Sequence, residues 1–89
     1  MSSPSLHTRL DRARFRAWHR GTREADYMIG CFFDAGHESW NEAELAWFEA
    51  LLDHDDVDIM AWAMGTSQPP QQFEGPMLVR LRQLDYVRI

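Results

Sequence analysis

Apolar residues recur along the chain at helical spacing, and nowhere do they alternate with period two. Leu6, Leu10, Ala13 and Ala17 lie on one face of a first segment, with Phe15 and Trp18 alongside. Ser5 or Ser3 is placed to cap it, and Gly21 stands where a terminating glycine belongs. Thr22 can cap a second helix, with Glu24 in its positively polarised first turn and Ala25, Met28, Ile29, Phe32 and Phe33 as its apolar face. Gly36 is read as its end. Ser39 to Glu42 has capping-box spacing, and the third helix that follows carries Leu45, Phe48, Leu51 and Leu52, with Trp47 on a flank. Asp55 or Asp56 caps a short fourth helix containing Val57, Met60, Trp62 and Ala63, closed by Gly65. Residues 65–76 are rich in turn formers, and Pro69-Pro70 disfavours helix there. Pro76 suits the first position of a fifth helix using Met77, Leu78, Leu81 and Leu84, with Arg80 and Arg82 exposed. The expectation is an all-α fold, a compact single-domain bundle of about five short helices covering residues 1–89.

Eighty-nine residues suffice for one modest core. A single cysteine, Cys31, excludes an internal disulfide and suits a reducing compartment. No apolar run reaches the ~20 residues needed to span a bilayer, so membrane insertion is not expected. No apolar signal region follows the start. The arginine-rich, serine-containing opening resembles a mitochondrial transit peptide in composition, yet it runs without a spacer into the rest of the pattern and reads better as the first helix.

Charge changes the picture more. Residues 1–23 carry a local charge of +5, residues 24–74 of −12 and residues 75–89 of +2, giving −5 overall with no lysine. The net sign opposes binding of a long phosphate chain and suits a protein partner with its own charge pattern. A nucleic-acid binder using the basic first helix is the weaker alternative.

Candidate chemistry is sparse. Asp53-His54-Asp55-Asp56-Val57-Asp58 looks at first like a metal loop. An EF-hand starting at Asp53 requires an oxygen ligand, a glycine and a glutamate where this chain has Val57, Asp58 and Met64. The plainer reading is that these acids end the third helix and cap the fourth. His7, His19, His37 and His54 lie on different segments without zinc spacing, and Cys31 sits in an apolar helix as a buried thiol. No stably bound metal or cofactor is expected. Trp62 is assigned to the core, and Trp40 and Trp47 to partly exposed positions.

The segment Trp18-His19-Arg20-Gly21-Thr22-Arg23-Glu24-Ala25-Asp26 is where structure and function compete. Gly21 is explained by a helix end that needs positive φ. On that reading Arg20 and Glu24 are incidental exposed charges. On the other, a side-chain-free corner admits a partner's backbone between a guanidinium fork and a carboxylate. Physical chemistry alone leaves both open.

The order Arg14-x-x-x-Trp18-x-Arg20-Gly21-x-x-Glu24-x-Asp26, then Phe32-Phe33, then Glu44-x-x-x-Phe48-Glu49-x-Leu51-Leu52, then Asp56-x-Asp58-Ile59-x-x-Trp62-x-x-Gly65, resembles the succinate dehydrogenase assembly factor 2 family, called SdhE or YgfY in bacteria. The resemblance runs from about Arg9 to Leu84. It implies a five-helix bundle in the bacterial cytoplasm that is not itself an enzyme. It implies a maturation factor for the flavoprotein subunit of succinate dehydrogenase, and in some bacteria of fumarate reductase, which promotes covalent attachment of FAD to a histidine of that subunit. The cofactor acted on is then the partner's FAD. The RGxxE residues carry over as Arg20, Gly21 and Glu24, with Trp18 and Asp26 beside them, as partner-binding positions. His19, Thr22 and Ala25 depart from the residues usual in the family. An antitoxin-like regulatory protein is the alternative, because members of the family have been described as components of toxin–antitoxin pairs.

Overall fold

A computed structural model describes residues 5–87. Its order is α1 (Leu6–Trp18), α2 (Arg23–Gly36), a 3₁₀ turn (His37–Ser39), α3 (Glu42–Leu52), α4 (Asp56–Met64), a second 3₁₀ turn (Gln71–Phe73) and α5 (Pro76–Gln83), with no strand among the described residues. α1 packs on α2 and α3, and α4 packs on α5. The all-α reading stands.

Three helices start on a side-chain cap, whereas Asp55 stands at the N-cap of α4 without the expected capping bond. Ser5 accepts from the Thr8 N–H at 3.1 Å and caps α1; Ser3 lies outside the described residues. Thr22 Oγ1 accepts from the Ala25 N–H at 3.2 Å and caps α2. α3 begins two residues later than the serine spacing predicts. Its capping box is Asn41 with Glu44: Asn41 Oδ1 accepts from the Glu44 N–H at 2.8 Å, and Glu44 Oε1 accepts from the Asn41 N–H at 2.9 Å. Ser39 is instead inside the 3₁₀ turn and donates to the Gly36 carbonyl at 2.9 Å. The 3₁₀ turn carries the path onward, but α2 itself ends, as expected, at Gly36. Its φ is ordinary, and the constraint there is space, since a Cβ would come within 2.9 Å of Trp40 Nε1. Gly65, at φ 77°, does close α4, and Pro76 opens α5.

The core is one contiguous cluster centred on the fully buried Phe33, Phe48 and Phe73. Phe33 and Phe48 sit 5.7 Å apart at their centroids, and Trp62 lies 5.5 Å from Phe73. Trp62 is buried as expected, while Trp40 and Trp47 are half-buried against the cluster. Leu6, on the apolar stripe of α1, is 57% exposed, and three further assignments shift. Val57 is 80% exposed, because α4 turns Ile59, Trp62 and Ala63 inward instead. Leu84 leaves the helix in a left-handed conformation, and Tyr86 fills the core position, its hydroxyl donating to the Leu81 carbonyl at 2.7 Å. Burial pushes the Tyr86 phenol above its ordinary range. Arg82 is half-buried, not exposed, and donates to the Trp62 carbonyl at the end of α4 at 3.0 Å.

The capping box carries a pH dependence. The Asn41 N–H, and then Arg80 at 2.9 Å, hold the Glu44 carboxyl below its ordinary range. A depressed carboxyl stabilises the fold above the unfolded-state value of ~4.3 and loses that contribution as pH falls through the lower folded value. Glu44→Gln keeps the capping acceptor and removes the charge. It is therefore expected to unfold more easily than the parent at neutral pH, with the difference closing in acid. Urea midpoints measured at several pH values check this.

The corner between the first and second helices

α1 ends at Trp18, and the chain turns through His19, Arg20 and Gly21 into the Thr22 cap of α2. Gly21 takes φ +117°, and no atom lies within 4 Å of the place a Cβ would occupy. The corner is thus open on its outer side, and its conformation still excludes an ordinary side chain without strain.

Asp26 fixes the turn from inside. Its Oδ1 accepts from the backbone N–H of Arg20 and from that of Gly21, the latter at 3.3 Å. Trp18 lays its indole over Gly30, where a Cβ would come 2.2 Å from the ring. The indole Nε1 donates to Asp34 at 3.3 Å, and Tyr27 meets the ring edge-on at 6.2 Å between centroids.

Arg20 is not the exposed fork that the sequence suggested. Its side chain is only 10% exposed. Nε donates to Asp56 Oδ1 at 2.7 Å, Nη1 to the Leu52 carbonyl at 2.8 Å and Nη2 to the His54 carbonyl at 2.7 Å. Leu52 is the last residue of α3 and Asp56 the first of α4. The guanidinium therefore answers carbonyls left over at the end of one helix and a carboxylate at the start of the next. One arginine locks the α1–α2 corner onto the α3–α4 junction.

The motif accordingly divides. Arg20, Asp26 and Trp18 hold the corner's shape from within. Gly21 and Glu24 face outward, with the exposed Thr22 and Arg23 between them. The residue that the sequence reading missed is Asp56, taken there only as a possible helix cap. Its signal was present as the acid opening the Asp56-x-Asp58 block, but nothing in the sequence links it to a residue 36 positions away. The unusual residues have local roles. His19 stacks on Phe15 at 4.0 Å and donates from Nδ1 to its carbonyl, Thr22 caps α2, and Ala25 is fully buried.

The basic first helix is also turned toward the chain's own acids. Arg9 grips Glu49 through two bonds, at 3.1 and 2.6 Å, and also pairs with Glu42. The two carboxylates hold its guanidinium well above the ordinary arginine range. Arg16 meets Asp53 at 2.7 Å. Of the acidic run at 53–58, Asp53 and Asp56 meet arginines, and Asp55, Asp56 and Asp58 lie at the start of α4, Asp55 without a capping bond; no group of three or more metal-ligating side chains occurs among the described residues. Cys31 is free and buried. Arg14 lies over the Phe33 ring at 5.4 Å and contacts Asp11.

Fold and corner together define a small helical bundle whose α1–α2 turn is locked from within onto the α3–α4 junction. The family profile described as "Flavinator of succinate dehydrogenase" matches residues 11–85. The chain is 35% identical over 81 residues to the FAD assembly factor SdhE of Acetobacter pasteurianus, covering 91% of this chain and 74% of that protein. It is 41% identical over 61 residues to the FAD assembly factor SdhE of Vibrio cholerae, covering 67% of this chain and 71% of that protein, and 39% identical over 61 residues to that of Aliivibrio fischeri. No solved structure matches. The chain belongs to the succinate dehydrogenase assembly factor 2 family, the SdhE family of bacteria.

Proposed function

We propose that this protein binds the flavoprotein subunit of succinate dehydrogenase and promotes covalent attachment of FAD to it, with Gly21 and Glu24 as the contacting face of the corner. The observation that carries the reading is the division of the RGxxE motif. Three bonds donated by the Arg20 side chain and two accepted by Asp26 fix a corner whose glycine has nothing above it. A rigid, uncovered turn lets a partner's backbone come close, and the Glu24 carboxylate beside it sets register by charge.

The proposed action is docking, not chemistry on the factor. Holding the partner in a productive geometry lowers the barrier by pre-paying orientation entropy, and this requires no nucleophile or proton carrier on the factor. Cys31 is buried in α2, and the four histidines are spread over separate elements, consistent with that role. The FAD supplies the redox-active ring that becomes linked to the partner's histidine. This chain's own residues bind and position the subunit that carries it. Flavoproteins of the fumarate reductase type present a related substrate and are included in the proposal, as is a cytoplasmic location.

Affinity capture of the tagged protein from its native extract tests the partner. The flavoprotein subunit is expected to co-purify and to carry flavin fluorescence on a denaturing gel. Recovery of a toxin whose growth inhibition the protein relieves, with no flavoprotein, would favour the antitoxin-like reading and refute this one.

A further inference from the structure

Glu24, Tyr27 and Asp34 are exposed at helical spacing along one face of α2, with the buried Cys31 between the last two. Two hollows flank this stripe and share Tyr27. One, of about 460 Å³, lies between Arg23, Glu24, Met28 and Val87. The other, of about 320 Å³, is bounded by Trp18, Asp34 and Tyr86. Together they form a groove between α2 and the segment after α5. It begins beside the RGxxE corner and runs ~15 Å along the helix, the rise of ten residues. Tyr27 is 37% exposed at its middle, over a floor of Met28 and Cys31.

Its charges are unlike those of the bundle's other side. Glu42, Glu44, Glu49, Asp53 and Asp56 are each paired with an arginine. Among the described residues neither Glu24 nor Asp34 meets a cation, and Asp34 accepts only from the Trp18 indole. An apolar floor between two carboxylates that no described cation meets is complementary to an apolar side chain flanked by basic ones.

We infer that this α2 groove is a second part of the docking surface, and that it takes a segment of the flavoprotein subunit with an aliphatic or aromatic anchor next to lysine or arginine. The inference rests on the partner proposed above and extends its contact from the corner tip to the length of α2. The anchor sits on Tyr27, Met28 and Val87, and the basic side chains reach Asp34 and Glu24. Tyr27 supplies a rigid amphipathic surface of the kind that dominates interface energies.

Binding of the full-length protein to the purified flavoprotein subunit, followed by titration calorimetry, tests this. Tyr27→Asp is expected to weaken binding about tenfold or more, as loss of an interface anchor does. Asp34→Asn keeps the acceptor for Trp18 while removing the charge. It is expected to weaken binding about threefold and to reduce its salt dependence. Val79→Asp, on an exposed valine of α5, is expected to bind as the parent does. A photo-crosslinker at position 27 is expected to capture a partner peptide containing lysine or arginine beside an apolar residue. Parent-like affinity for Tyr27→Asp and Asp34→Asn, with weakened binding for Glu24→Ala, would overturn the groove and leave the corner standing. Absence of binding by the parent protein would overturn both. A change of oligomeric state in Tyr27→Asp with unaltered partner affinity would assign the groove to a second copy of this chain. Tighter binding on deletion of residues 88–89 would assign it to the chain's own end. Either result overturns the proposal.

Discussion

Replacing Arg20 by alanine is expected to destabilise the fold by about 2–3 kcal/mol, because a largely buried guanidinium would leave its partners unanswered. Asp56 would lose its cation, and the Leu52 and His54 carbonyls would lose their donors. Partial exposure of Asp56, at 21% of its side chain, lets water compensate in part and keeps the figure below that of a fully buried pair. Arg20→Lys retains the charge, but one ammonium cannot span a carboxylate and two carbonyls on separate segments. It is expected to recover less than half of the loss. Urea unfolding with an unchanged slope measures both. An alanine variant within ~0.5 kcal/mol of the parent, the range of ordinary surface substitutions, would show that Arg20 is a free surface charge after all.

The second large effect is expected at Gly30. A methyl group there would stand 2.2 and 2.3 Å from Cδ2 and Cε2 of Trp18, in the middle of the indole where no end of the side chain can swing aside. Gly30→Ala therefore has to displace the whole ring. The bond to Asp34 and the edge contact with Tyr27 go with it. Overpacking of this kind costs ~2 kcal/mol, even though alanine is the better helix former. Thermal unfolding and a red shift of tryptophan emission are the measurements. A stabilised Gly30→Ala with unchanged fluorescence would mean that the indole does not rest on α2.

Trp18 and Gly30 show what the sequence could and could not convey. Helical periodicity places Ala13, Ala17, Ile29, Phe33, Leu45, Phe48 and Leu51 in the core because burial on a helix repeats with the backbone itself. Which ring comes to rest on Gly30 depends on how α1 crosses α2, and that is not written in either segment alone. The same limit applies at Arg20. A short arginine-glycine corner with positive φ is written locally, and Asp56 reads locally as a cap. That the first reaches the second across the α3–α4 junction is a tertiary fact. Start signals misplaced α3 because Ser39 and Asn41 both suit a helix start, and the Asn41–Glu44 exchange prevailed. Val57 and Leu84 were mistaken for core because short helices contain too few turns to fix the inward face.

The outward part of the RGxxE corner is proposed to act on the partner rather than on the fold. Glu24→Ala removes an exposed carboxylate and is expected to change stability by ~0.5 kcal/mol or less. Gly21→Arg adds a side chain to open space at positive φ and is expected to cost about 1 kcal/mol, leaving a folded protein. Both are nevertheless expected to lower covalent flavin on the partner subunit sharply. The direct measurement is in-gel flavin fluorescence of the succinate dehydrogenase flavoprotein in a strain lacking the factor, complemented with the parent protein or either variant at matched abundance. A fluorescent subunit is expected with the parent and a weakly fluorescent or dark one with Glu24→Ala and Gly21→Arg. Parent-level fluorescence with both variants would contradict the proposal and leave the corner as a helix terminator alone.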